Sequence, residues 1–565
     1  MRNTTRAAAF VVAAVTGSML LTACGGSTDD SADKPKKQVT ADHASEINPQ
    51  PADKVKQGGQ LRLSVANWIT QFNGNQVQGG LGDRTTMTKP MLPSVWDVDA
   101  QGAFTPDKDY IESAVSGDKG GKQVLTYKIN PKAKWSDGTA LSYRDFEAMW
   151  KANGLGDEKY LIVDPTGYED IESVKAGAND QEVVVTMKKQ TSQWQAMFWQ
   201  LLPAKFIDTP EKFNKAWVEK VPATAGPYKV GSIDKASQTV TLVPDEKWWG
   251  EKPKLDKIIF RALDRVAAVD AYLNRELDAV SAGNADYYKR TKKTPGTEFR
   301  IGAPWDMTHI VFGANGNMAD VKVRQAIQLA INTKTLADIP ANGMPVDYKT
   351  LGNHFYMGNQ KGYQDNSGKY GKGDIAAAGK VLDEAGWKAK NPGEIRTKDG
   401  KPLVVNFLET AGASATIKSQ DAASQAMLKQ AGIDMKINNV PENDYFDKYI
   451  TAGNFEMVSY RSTSYTGLAS DFFASYRDPK GKQLFQNNGK IVTPGGEAKF
   501  REALTAKTPE EAVKLQQEVD KLVWDAGHTL PTYQTPAVWA VQKKVANYGS
   551  PGMASVDWTK VGFMK

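Results

Sequence analysis

Four histidines and one cysteine are the chain's whole stock of imidazole and thiol groups, and their spacing withholds most of the chemistry such groups perform. His43, His309, His354 and His528 stand far apart. None has a second His or Cys at ligand spacing and no H-E-x-x-H occurs, so neither a metal site nor a cofactor is expected. With Cys24 alone, a thiolate cluster and an intramolecular disulfide are both excluded. There is no G-x-x-x-x-G-K-[ST] phosphate loop, and Gly79-Gly80-Leu81-Gly82 lacks the strand-turn-helix setting of a dinucleotide fingerprint. No G-x-S-x-G elbow is present. A Ser-His-Asp triad drawn from distant residues leaves no spacing signal, so a hydrolase built around His309, His354 or His528 stays open.

What the loops carry instead is aromatic rings beside polar groups. Trp68, Phe72 and Asn73 follow a first alternating strand, and Trp305-Asp306 precede an apolar strand from His309 to Phe312. Tyr460, Arg461 and Tyr465 follow another, from Phe455 to Ser459. Large rings with a polar edge suit a concave small-molecule site. The competing reading is that most of the 14 tryptophans are core packing.

The elements that position these loops begin after an N-terminal leader. Arg2 and Arg6 precede an apolar run, Ala7 to Leu21, which is short of the roughly 20 residues of a spanning helix. Leu21-Thr22-Ala23-Cys24 resembles a bacterial lipobox. That resemblance implies cleavage before Cys24, a diacylglyceryl thioether on its sulfur, and a place on the outer face of the cytoplasmic membrane. The alternative is a plain secretory signal with an accidental cysteine. Residues 24–57 are poor in large apolar side chains and are expected to be a flexible tether.

The remaining chain is long enough for two or three domains. Its formal charge of +6 includes Arg2 and Arg6, and so weak a balance over 565 residues is no nucleic-acid signature. Strands are expected at 61–65, 124–129, 182–187, 239–243, 257–260 and 433–440 from their alternation. Helices are expected after Ser142, Asp320, Asp374, Ser414 and Thr508, each a capping residue, with Gly386 and Gly432 as stop signals. The class is mixed α/β.

The run Tyr127-Lys128-Ile129-Asn130-Pro131-Lys132-Ala133-Lys134-Trp135-Ser136-Asp137-Gly138-Thr139-Ala140-Leu141-Ser142-Tyr143-Arg144-Asp145-Phe146 is similar to the signature of the peptide-binding (family 5) solute receptors of ABC importers. Thr224-Ala225-Gly226-Pro227-Tyr228, Trp248-Trp249-Gly250-Glu251-Lys252-Pro253, Asn274-Arg275-Glu276-Leu277-Asp278-Ala279 and Leu382-Asp383-Glu384-Ala385-Gly386-Trp387 resemble further elements, in the family's order. The resemblance implies a two-lobed periplasmic-binding-protein-like clamp of type II. Lobe I would span 58–304 with a subdomain inserted at about 85–215, lobe II 305–529, and 530–565 would return to lobe I. It also implies a monomeric, non-catalytic receptor that captures oligopeptides by closing and delivers them to an ABC permease and its ATPase.

Family receptors for peptides place an aspartate after the strand equivalent to 455–459, where it pairs with the α-ammonium. By alignment from Phe472-Phe473 backward, Tyr465 stands at that position here. A buried ammonium without a carboxylate is costly. Either Asp471 or Asp306 takes the role, or the ligand has no free α-ammonium; the alternative ligand in the same architecture is a non-peptide solute such as an opine, a sugar derivative or a metal chelate. Arg461 hints at a carboxylate-bearing ligand, or is structural. From other classes, a cell-surface hydrolase and a structural lipoprotein remain as alternatives.

Overall fold

The computed structural model describes residues 44–391, 393–464, 467–479 and 485–565. The leader 1–23, the lipidation candidate Cys24, the tether as far as 43, and Tyr465 lie outside the described residues.

Strand β1, Gln60–Val65, buries alternate side chains as its pattern demands. Next comes the inserted subdomain, with β2 (Ile111–Lys119), β3 (Lys122–Ile129), helix α1 (Tyr143–Gly154), β4 (Ile171–Ala176) and β5 (Glu182–Met187). Its strands form an antiparallel sheet in the order β2-β3-β5-β4. The chain then returns to the first sheet through β6 (Tyr228–Asp234), β7 (Thr239–Pro244) and β8 (Lys257–Ala262), giving the order β1-β8-β7-β6. Strands β9 (Ala279–Ser281) and β10 (Thr297–Gly302) flank a late strand of the C-terminal segment.

Strand β11, Asp306–Phe312, is buried at every position and opens a second, five-stranded sheet. Around it lie α2 (Val321–Ala330), α3 (Ile375–Glu384), β12 (Val404–Thr410), α4 (Ala415–Gln430), β13 (Asp434–Val440), β14 (Met457–Thr463), α5 (Pro509–Asp525) and β15 (Thr529–Gln534). The sheet order is β13-β12-β14-β11-β15. The chain then recrosses, and β16, Ala537–Gln542, sits between β9 and β10. The fold is thus a mixed α/β clamp of two lobes, each with its own sheet and apolar core.

The helix starts are those the caps dictate. The hydroxyls of Ser142 and Thr508 and the carboxylate of Asp320 accept from the first-turn amides of α1, α5 and α2. Gly386 and Gly432 take positive φ, 87° and 82°, just beyond α3 and α4.

Two boundaries differ from expectation. Lobe II does not end at residue 529, because Thr529–Gln534 is the edge strand hydrogen-bonded to β11. The return crossing falls at 535–536. The tether does not reach residue 57 either. Glu46 exchanges backbone bonds of 2.7 and 2.9 Å with Ser550, Lys56 N donates to Phe563 O at 2.8 Å, and Ala44 and Val55 are buried. Backbone pairing with the C-terminal segment orders a stretch with few apolar side chains to bury.

The signature around Trp135 is scaffold. Asp145 is buried, and burial pushes its carboxyl up in spite of three donors. Oδ2 accepts from Ser142 N at 3.0 Å and from Trp135 Nε1 at 3.2 Å, and Oδ1 accepts from Ala204 N at 2.8 Å. One carboxylate therefore caps α1, holds the indole and ties in the 204 loop. We expect Asp145→Ala to lower the unfolding free energy by about 2–3 kcal/mol, read as a lower urea midpoint. An unchanged midpoint would mean that the desolvation of this acid cancels its bonds.

Candidate ligand-binding cleft

A cavity of about 340 Å³ lies where the inserted subdomain and the segment before β1's partner strands meet lobe II. That volume is at the small end of the ~300–1,000 Å³ usual for small-molecule sites. Lobe I supplies Arg84, Asp164, Tyr168 and Trp199 to its wall; lobe II supplies Ser462–Ser464, Ser470, Asp471 and Phe472.

The charged wall residues are fixed by local geometry. Arg84 lies flat against Gly74, where a Cβ would stand 2.5 Å from the guanidinium carbon, so only glycine allows that approach. Its nitrogens donate to Gly79 O at 2.9 Å, Gln200 Oε1 at 2.8 Å and Thr85 Oγ1 at 2.8 Å. Asp164 Oδ1 accepts from Thr166 N at 2.9 Å and Thr166 Oγ1 at 2.6 Å, an Asx turn across Pro165. Asp471 accepts from the Ser464 hydroxyl, which itself accepts from Gly467 N at 2.7 Å.

Of the residues picked out from the sequence, Asp471 is on the cavity wall. Several others stand one layer behind it. Trp305 is 2 % exposed and stacks at 3.9 Å on Phe472, which lines the cavity. Asn73 is fully buried; its Nδ2 donates to Phe213 O at 2.9 Å and its Oδ1 accepts from Asn75 N at 2.9 Å, and it is Asn75 that reaches the cavity. Tyr460 meets the His309 ring edge-on at 4.9 Å and Phe446 at 6.0 Å. Phe72 has no exposed surface, so as a ligand contact it is corrected to a core residue. Trp68 packs against the same core.

Asp306 and Arg461 answer each other. Arg461 Nε donates to Asp306 Oδ1 at 2.9 Å and its Nη2 donates to Oδ2. Burial works against the Arg461 charge, but the Asp306 carboxylate outweighs it and the guanidinium pKa is raised. Arg461 stands opposite Thr308 and Asp306 opposite Thr463 in the β14–β11 register, and neither member of the pair is among the residues that line the cavity. A carboxylate already held by a bidentate guanidinium is a poor second partner for an ammonium.

The hydrolase alternative meets a specific obstacle. His309 Nε2 lies 3.0 Å from the Ser462 hydroxyl, a dyad at the cavity wall. Its Nδ1 has no partner among the described residues, and burial pushes its pKa down to about 3. Such a ring is a weak base, poorly matched to taking a serine proton at neutral pH. His354 Nδ1 does contact Asp520 at 2.7 Å, but both side chains are fully buried and the other ring nitrogen faces Thr529 O at 3.3 Å. No group of three metal-binding side chains occurs among the described residues, and no described helix is long and apolar enough to cross a membrane.

The lobes also touch directly beside the cavity. Glu169 of the inserted subdomain pairs with Arg477 at 3.3 Å and Arg501 at 3.5 Å. Ser192 N donates to Leu504 O at 2.7 Å, and Ser470 N donates to Gln193 Oε1 at 2.7 Å. Asp164 and Arg84 escaped sequence reading. The Asp164-Pro165 and Gly167 turn signal marks a loop without telling which loop it will face.

Comparison with known proteins agrees with this architecture. Residues 111–483 match the model of the bacterial extracellular solute-binding proteins, family 5 Middle. The oligopeptide-binding protein OppA of Mycobacterium tuberculosis is 32% identical over 556 residues, covering 97% of this chain and 92% of that protein. The periplasmic EDTA-binding protein EppA superposes with a TM-score of 0.82 at 25% identity, over 92% of this chain and 98% of its own. AppA of Bacillus subtilis, an oligopeptide-binding protein in complex with a nonapeptide, gives a TM-score of 0.76 at 18% identity, over 91% and 100%.

Burial of the histidines makes stability proton-dependent. His528 is held down to about 3, first by burial and then by the neighbouring His354 and Arg324. In the unfolded chain it takes a proton near pH 6.5, so folding loses stability as pH falls from there toward the folded value, at about 1.4 kcal/mol per pH unit. His528→Leu removes that loss. We expect the variant to gain stability relative to wild type progressively between about pH 6.5 and pH 4 in denaturant unfolding; a pH-independent difference would show that the ring is charged in the fold.

Proposed function

The chain belongs to the family 5 bacterial extracellular solute-binding proteins, and from that premise we propose that it captures oligopeptides for an ABC importer by closing its lobes over them. It is a solute receptor, not an enzyme, and it works outside the cytoplasm. The observation that carries the peptide reading is the cavity walled by both lobes, with an arginine and carboxylates on one small surface. A zwitterion is the ligand such a wall complements.

In this reading Asp471 replaces the family's missing aspartate and receives the α-ammonium, because Asp306 is already engaged by Arg461. Arg84 offers its charge to the peptide's carboxylate side. Ligand contacts made to both lobes at once exist only in the closed state, so binding shifts the population toward closure. The permease and its ATPase then read the closed shape. Lobe I (58–302) with the subdomain inserted within it, lobe II (306–534) and the 537–565 return are the moving parts, and the protein acts as a monomer. Cys24 holds it to the outer face of the membrane through its lipid.

A second reading is a metal chelate, which the likeness to EppA favours. A polycarboxylate chelate carries negative charge, and Asp164 and Asp471 on the wall would oppose it. The peptide reading is therefore preferred.

The test is native mass spectrometry of protein lacking residues 1–43, purified from a peptide-rich culture, with thermal unfolding in a peptide pool alongside. We expect a heterogeneous set of short peptides and a melting temperature that rises with peptide concentration. Asp471→Asn should weaken peptide binding by about tenfold or more. A single non-peptide mass would overturn the substrate and leave the receptor architecture standing.

A further inference from the structure

We propose that the lysine-bearing face formed where residues 54–56 pair with the C-terminal segment is a seat for an anionic phospholipid surface, and that it fixes which side the body turns to the membrane. This rests on the lipid-anchored reading above and goes beyond it, from attachment to orientation.

Backbone pairing builds the face. Lys56 N donates to Phe563 O at 2.8 Å, Lys565 N donates to Lys54 O at 3.1 Å, and Met564 N donates to Lys544 O at 2.7 Å. Val55 is buried, while Lys54 and Lys56 on either side of it are exposed. Lys543 and Lys544 form the exposed turn between β16 and Val545. The ammonium groups of Lys56 and Lys544 lie 5.4 and 5.3 Å from the centroid of one ring, Phe563, so two like charges share a single apolar support. Lys254 joins them, because a Cβ on Gly562 would stand 3.2 Å from the Lys254 Cβ.

No acid answers these charges. Lys54, Lys56, Lys254, Lys543 and Lys544 make no ion pair among the described residues. Of the acids close by, Asp53 is exposed beside Lys54 and Asp256 spends Oδ2 on Gly59 N at 2.9 Å. Lys560 gives the contrast, since its ammonium is 2.8 Å from Asp557. Five lysines against two acids make a local positive surface on a chain whose formal charge is only +6. Ammonium groups on long stems, with no concave wall around them, suit a flat array of headgroup phosphates better than one shaped ligand. A nucleic acid would need a wider basic footprint.

The path of the chain brings the bilayer within reach. The stretch from Cys24 to Ala44 spans at most about 70 Å, however it is arranged. From Ala44 onward the chain runs along the same C-terminal segment: Glu46 pairs with Ser550, and Asn48 Nδ2 donates to Val545 O at 3.1 Å, next to Lys544. A body confined so close to a surface needs only a weak attraction to settle its orientation. At low salt each lysine near an anionic surface strengthens binding by about fivefold, and the effect dies away within a Debye length.

The experiment is co-sedimentation of the chain from residue 24 onward, carrying Cys24→Ser so that no lipid is attached, with vesicles of phosphatidylcholine alone or with about a third phosphatidylglycerol. We expect binding to the anionic vesicles only, weakened about tenfold or more between about 50 and 300 mM NaCl. Changing Lys54, Lys56, Lys543 and Lys544 together to Gln should weaken it by about twentyfold or more. Because Lys56 and Lys544 cover Phe563, the fold of that variant is checked by its melting temperature. Lys54→Gln with Lys543→Gln, which leaves the ring covered, should still cost about fivefold or more. Residues 24–43 carry three lysines against four aspartates, so changing Lys34, Lys36 and Lys37 to Gln should cost less than the double change on the face. Binding that is absent, indifferent to phosphatidylglycerol, or lost with the 34–37 changes and kept with the face changes would overturn the seat and leave the anchor reading standing. The anchor is read apart from this, from the mass of the Cys24 peptide of membrane-extracted protein; an unmodified Cys24 would overturn the anchor and leave the face to the vesicle result.

Discussion

The lobes are joined by two short crossings, 303–305 and 535–536, and these are bound to each other. Thr535 N donates to Asp306 O at 2.8 Å, Gln534 Nε2 donates to Pro304 O at 2.9 Å, and the hydroxyls of Thr308 and Thr535 lie 2.8 Å apart. A single strand would let the lobes twist freely. Two strands laced together restrict them to a bend, the repertoire of hinge closure. The bond from Ser470 N to Gln193 Oε1 depends on that restriction, because residues 277 positions apart must meet in one geometry each time.

The rigid parts on either side are built from buried polar anchors as much as from apolar packing. Asp145 ties three segments of the inserted subdomain. Arg300, fully surrounded, donates to the carbonyls of Val545 and Tyr548 and so locks β10 to the C-terminal return. Arg324 does the same in lobe II, donating to Met318, Ala526 and Gly527. Such charged donors on backbone carbonyls hold loops that apolar contact alone would leave loose.

Much of this was legible in the sequence, for physical reasons that can be named. Ser142, Asp320 and Thr508 announce helices because a capping side chain acts on amides two or three residues away. The strands show themselves through alternate burial, a nearest-neighbour pattern. The aromatic residues chosen as ligand contacts were partly misplaced for the opposite reason. Whether Trp305 or Phe472 faces the cavity depends on which ring the fold stacks outward, and nothing local records that. Asp164 and Arg84 were invisible because their place on one cavity wall arises only where two lobes meet. The stretch 44–57 was read as tether because hydropathy does not report backbone pairing with a segment some 500 residues away.

The bridge from Glu169 to Arg477 and Arg501 ties the inserted subdomain to lobe II through protein groups alone. For a transporter that is a hazard. A permease that responds to shape would hydrolyse ATP on an empty receptor, a futile cycle whose frequency is set by how often the vacant clamp shuts. In such a cycle the ratio of productive to idle pump strokes would follow the strength of these ion pairs.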